Sequence, residues 1–147
     1  MKRLTFLVLL ATPLPASASP ATEVEEAVSA RYSVEWRRCT DGAVGDALMM
    51  GCISAEGPLQ DAALNRVYRA LLARLSRAHA ARLRASQRAW LRNREGYCER
   101  GIGLPLRQWR TLERLRFSGC HLDSTVRRTI WLERYRDGRA TLRDLNR

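Results

Sequence analysis

A chain of 147 residues, 46% of them hydrophobic, suits a single domain with one core. Lysine and arginine number 26 against 15 aspartates and glutamates, a formal net charge of +11. Beyond the first few residues no run is apolar for long enough to span a bilayer, which excludes a polytopic membrane protein.

The first element is a leader. Lys2 and Arg3 precede the apolar run Leu4-Thr5-Phe6-Leu7-Val8-Leu9-Leu10-Ala11, which breaks at Pro13 and Pro15 and ends in Ala16-Ser17-Ala18. A basic stretch, a short apolar stretch and an A-x-A site predict a secretory signal peptide over residues 1–18, cleaved after Ala18. The first cysteine is Cys39, so no lipid anchor is expected at that site. The expectation is a soluble exported protein, periplasmic or secreted.

Export sets the meaning of charge and cysteine. Without Lys2 and Arg3 the net charge falls to +9, all of it from arginine, since Lys2 is the only lysine. Outside the cytosol that charge meets lipid headgroups, anionic wall polymers and secreted proteins, and not nucleic acid. The four cysteines Cys39, Cys52, Cys98 and Cys120 are an even set in an oxidising compartment and predict two disulfides. No C-x-x-C pair is present and only His79 and His121 could assist, so no zinc site is expected.

Residues 19–44 read as a partly ordered segment tied down by Cys39, with one short helix over 23–36 that carries Val24, Ala27, Val28, Tyr32 and Trp36 near one face. From Gly45 the pattern turns strongly helical, through Leu48, Met49, Cys52 and Ile53. Gly57-Pro58 predicts a kink or a restart, because proline suits a first helical turn and disrupts an interior. A helix over 58–76 follows, with Leu64, Val67, Tyr68, Leu71, Leu72 and Leu75 at helical spacing. The next, over 79–98, turns Leu83, Gln87, Trp90, Leu91, Arg94 and Cys98 inward. Gly101-Ile102-Gly103-Leu104-Pro105 is a break. Leu106, Trp109, Leu112 and Leu115 recur every third residue among Arg107, Arg110, Arg114 and Arg116 and predict a short helix ending at Gly119-Cys120. A last helix starts near Asp123 or Ser124, good N-cap types, and runs through Val126, Ile130, Leu132 and Tyr135 to Gly138. Nothing alternates with period two for long. The fold class expected is all-α: a small disulfide-bonded helical bundle over 45–138 with a tail over 139–147.

A connection of a few residues near Ser76 makes the two central helices an antiparallel hairpin. That register sets Tyr68 opposite Trp90 and Asn65 opposite residues 91–94, with Asp61 one turn further on. Asp61, Asn65, Gln87 and Arg94 then all point at the seam. They form either a ligand cleft or a partly buried Asp61–Arg94 ion pair whose neighbouring amides fix helix register; the second reading is the expectation. Cys98 and Cys120 bracket one helix connection, and Cys52 falls beyond the Cys98 end of the hairpin. The favoured pairing is Cys39–Cys52 with Cys98–Cys120; the other two connectivities stay open.

Cys52, Asp61-x-x-Leu64-Asn65-x-x-Tyr68, Gln87-x-x-Trp90-x-x-x-Arg94-x-x-x-Cys98, Cys120 and Thr125-x-x-Arg128 together resemble the LprI-type domain. This is a small exported helical domain found in many bacteria and named after a lysozyme inhibitor. The resemblance spans roughly residues 49–132 and implies a disulfide-bonded helical bundle that binds lysozyme. Asp61, Leu64, Asn65, Tyr68, Gln87, Trp90, Arg94, Thr125 and Arg128 are its motif residues and read as architectural. No nucleotide loop, H-E-x-x-H, G-x-S-x-G or calcium loop occurs, so neither catalysis nor a cofactor is expected. The expected partner is a lysozyme-type muramidase, bound stoichiometrically. The alternative is an envelope protein that holds anionic polymers on its arginine face. Arg107, Trp109, Arg110 and Arg114, an aromatic among arginines, are the candidate contacts.

Overall fold

The computed structural model describes residues 20–142. The expected leader over 1–18 lies outside the described residues. Among those described there are five α-helices and no strand: α1 (Pro20–Arg31), α2 (Val34–Gly42), α3 (Asp46–Leu72), α4 (Arg77–Ile102) and α5 (Thr111–Arg136), with a 3-10 turn at Leu106–Gln108 before α5. The all-α expectation holds.

Three expectations about boundaries are corrected. The single N-terminal helix is two, because Ser33 accepts the Trp36 N–H at 2.9 Å and caps a fresh helix. α3 does not restart at Pro58 but runs through it. The missing N–H forfeits a bond to the Ser54 carbonyl, a cost of about 3 kcal/mol for an interior proline. One unbroken face that buries Cys52, Ile53, Glu56, Gln60, Leu64 and Leu71 offsets it. Third, the short arginine-rich helix and the last helix are one. α5 passes straight through Gly119, Cys120, Asp123 and Ser124, and only Leu106–Arg110 lies outside it. The glycine weakens the helix locally, but a Cβ on Gly119 would sit 3.8 Å from Ile53, an ordinary contact, and the Cys120 disulfide anchors the next residue.

α3 and α4 form the hairpin, joined through Ala73–Ser76, with the Ser76 hydroxyl capping α4. They touch each other little. α5 lies in their groove, packing along α3 and less extensively along α4. It runs parallel to α3, with Gly119 beside Ile53 and Leu132 in one cluster with Leu64, Leu71 and Leu83. It runs antiparallel to α4, as Cys98–Cys120 and Arg94–Thr125 show. The seam expected between α3 and α4 is therefore filled by a third helix. α1 closes the far side, burying Val28 against Val126 and Ile130.

The disulfides are Cys39–Cys52 and Cys98–Cys120, with Cα–Cα distances of 5.7 and 5.8 Å. The first ties α2 to α3 and the second ties α4 to α5.

Candidate functional site

Glu56 is the polar residue that sequence reasoning missed on the α1–α2 side. It is 2% exposed, with carboxylate oxygens accepting from the Ser33 N–H at 3.0 Å, the Ser33 hydroxyl at 2.6 Å and Gln60 Nε2 at 2.7 Å. Gln60 Nε2 also donates to the Arg31 carbonyl at 3.1 Å. The charge is thus spent on holding the break between α1 and α2 against α3. Its i, i+4 spacing to Gln60 on the buried face was the available signal.

The motif residues assemble a second polar group where α4 meets α5. Arg128 is 5% exposed and has no carboxylate partner among the described residues. Its Nε donates to Gln87 Oε1 at 2.9 Å and its Nη2 to Ser86 Oγ at 2.8 Å. The guanidinium carbon stands 4.8 Å from the Trp131 ring centre and 5.6 Å from that of Trp90. Arg94 covers Trp90 at 4.7 Å, and Trp131 stacks on Tyr135 at 5.3 Å. Arginines and aromatics alternate along the groove, so the ring faces hold the cations where water is scarce. Burial pulls the Arg128 guanidinium down to about 10, still charged at neutral pH.

The expected Asp61–Arg94 ion pair is corrected. No ion pair joins them among the described residues. Arg94 Nη1 instead donates to Thr125 Oγ1 at 2.9 Å, and that hydroxyl donates to the His121 carbonyl at 2.9 Å. Asp61 and Asn65 are exposed. The reason is α5: occupying the groove, it brings Thr125 to the arginine before the α3 carboxylate can reach it. Leu64 is in the core, and Tyr68 packs on it.

Asp61 and Arg94 do line one cleft of about 430 Å³ between α3 and α5, together with Pro58, Ser118, His121 and Thr125. Among the described residues, Asp61 is the only carboxylate on its walls. His121 lies under Phe117, ring centres 4.3 Å apart, and its Nε2 is buried without a partner. Burial, then the Arg94 charge, hold its imidazole below the usual histidine range, so it is neutral at pH 7. No hydrogen bond joins His121 to Ser118, Ser54 or Asp61 among the described residues, so no nucleophile–base pair is assembled there. A helix start at Asp123 or Ser124, when α5 begins at Thr111, leaves His121 off the helix; His121, Thr125 and Arg128 share a face once the helix is whole.

The candidate partner contacts separate. Arg107, Arg110 and Arg114 are exposed. Trp109 could either offer its ring to a partner or pack on the bundle, and it packs: it is 8% exposed, donates from Nε1 to the Leu104 carbonyl at 2.9 Å and packs on Phe117 at 5.0 Å. Its indole pins the α4–α5 connection, and its ring is not offered to a partner.

A family model described as Lysozyme inhibitor LprI matches residues 39–132. Neither a curated protein nor a solved structure matches the sequence.

Proposed function

The chain belongs to the LprI lysozyme inhibitor family, and on that premise we propose that it acts by binding a lysozyme-type muramidase stoichiometrically, without catalysis. The family match over residues 39–132 carries this reading, because it takes in both disulfides and all three walls of the α3–α5 cleft. Many muramidases are strongly basic, and the arginine-rich end of this bundle would repel them. The contact is therefore assigned to the cleft face, where the Asp61 carboxylate is exposed and unpaired among the described residues. Occlusion of the enzyme's substrate groove then needs no reactive group on this chain. No described helix is long and apolar enough to cross a membrane.

The oxidised chain, titrated against several lysozymes, should suppress lysis with an endpoint near equal molarity. Asp61→Lys should weaken that inhibition at least tenfold, as loss of a contact to a charged group does. Unchanged lysis at large excess against every enzyme would reject the reading.

A second reading has its own observation. Between Arg100 and Arg116 the chain carries five arginines and one glutamate, and those arginines are all exposed. Glu113 is spent locally, accepting the Arg110 N–H at 2.9 Å. Arg107, Arg110 and Arg114 then serve an anionic partner. Binding of polyphosphate that falls steeply with salt would support this role.

A further inference from the structure

The arginine-rich end is also the greasiest part of the surface. α3 and α5 run parallel and α4 runs against them, so the first turns of α3 and α5 and the last turn of α4 meet at one end of the bundle. Of the nine large apolar side chains that stand exposed among the described residues, six are at this end: Val44, Leu48, Tyr97, Leu104, Leu106 and Leu112. Leu106 is 61% and Tyr97 66% exposed. The α4–α5 connection that carries two of them is held in place from below, by Trp109 and by Cys98–Cys120. These leucines are thus presented by a fixed turn.

A soluble polyanion rewards arginines and gains nothing from leucines beside them. A basic muramidase is repelled by the same arginines. An anionic bilayer surface matches both features: headgroup phosphates attract the guanidinium groups, while leucine and tyrosine side chains enter the boundary between headgroups and acyl chains. Arginine stems can lie along that boundary with their charges in the headgroup layer.

We propose that this end of the bundle docks on the surface of an anionic lipid bilayer, with Leu104, Leu106 and Tyr97 inserted and Arg107, Arg110 and Arg114 on the headgroups. This rests on the second reading above, that these arginines serve an anionic partner, and names the partner. Bound this way, the protein turns its long axis away from the membrane and leaves the cleft face open to solvent.

The test is sedimentation of the oxidised chain with vesicles of phosphatidylglycerol in phosphatidylcholine, beside pure phosphatidylcholine and soluble polyphosphate. The wild type should bind the anionic vesicles and not the neutral ones. Leu104→Ser/Leu106→Ser alters only exposed side chains, so circular dichroism should be unchanged. It should lose about tenfold or more in vesicle affinity while binding polyphosphate as before. Arg107→Gln/Arg110→Gln/Arg114→Gln should lose on the order of 100-fold on vesicles, about fivefold per charge, and should lose polyphosphate too. If polyphosphate binds and anionic vesicles do not, or if the leucine variant binds vesicles like the wild type, the bilayer proposal falls and the polyanion reading stands. If neither probe binds at low salt, both fall.

Discussion

Arg128 shows what a buried cation needs when no carboxylate is near. Gln87 and Ser86 satisfy its N–H groups, and Trp90 and Trp131 supply ring faces to its charge. Gln87→Ala removes an acceptor and leaves a buried charged donor unmet, so it should cost about 1.5–3 kcal/mol in denaturant melts. Combining Gln87→Ala with Arg128→Met should cost less than the two singly, since the orphaned donor disappears with the arginine. Strict additivity would mean that the hydrogen bond carries no energy. His121 makes a prediction in pH. Its folded pKa lies below the ordinary 6.5, so the unfolded chain takes up the proton first. Its contribution to stability is complete above 6.5 and is lost as pH falls from there toward the folded value. His121→Gln should therefore flatten the loss of stability in that window, and the imidazole should titrate below 6.5 by NMR.

At the scale of elements, the joint between α1 and α2 depends on one carboxylate. α1 packs through Val28 on α5, while α2 is bound through Cys39–Cys52; Glu56 links the two by gripping Ser33. Glu56→Ala should cost about 3 kcal/mol or less, as a buried donor set loses its charged acceptor. Its diagnostic effect is local: hydrogen exchange should quicken in α1 and at the start of α2, with α4 and α5 unaffected. Uniform quickening in every helix would show that Glu56 stabilises the whole core and not the joint. The continuous run of α3 through Pro58 belongs to the same scale. Propensity argued for a break, and a buried face spanning both sides of the proline outweighed it.

For the whole molecule, α5 is the axis on which the others assemble. It buries residues on several sides at once, including Leu122, Thr125, Val126, Thr129, Ile130 and Leu132. The Cys98–Cys120 bond closes a loop 22 residues apart in sequence that holds the α4–α5 connection. Replacing both cysteines by serine should lower stability by about 3 kcal/mol in the chain-entropy model, read as a shift in denaturation midpoint. It should also loosen the turn that presents Leu104 and Leu106, so vesicle binding should fall more than polyphosphate binding. Equal losses on both probes would argue that the turn needs no bracing.

The sequence by itself determined the helical class, the apolar stripes, the cysteine set and the motif residues that match the family. Each of these is a local or compositional property, written in periods of three to four residues or in residue identity. Which helix faces which is not local. The short turn between α3 and α4 correctly makes them antiparallel, yet it cannot reveal that a third helix, distant in sequence, fills the groove between them. That insertion turned Arg94 from Asp61 to Thr125, buried Arg128 between two tryptophans and gathered His121 into the cleft. It also decided that Trp109 is buried while Leu106 is exposed, although both sit on the same three-residue repeat. Only the packing of α5 against two partners at once could settle that, because a side chain's burial depends on what arrives from elsewhere in the chain.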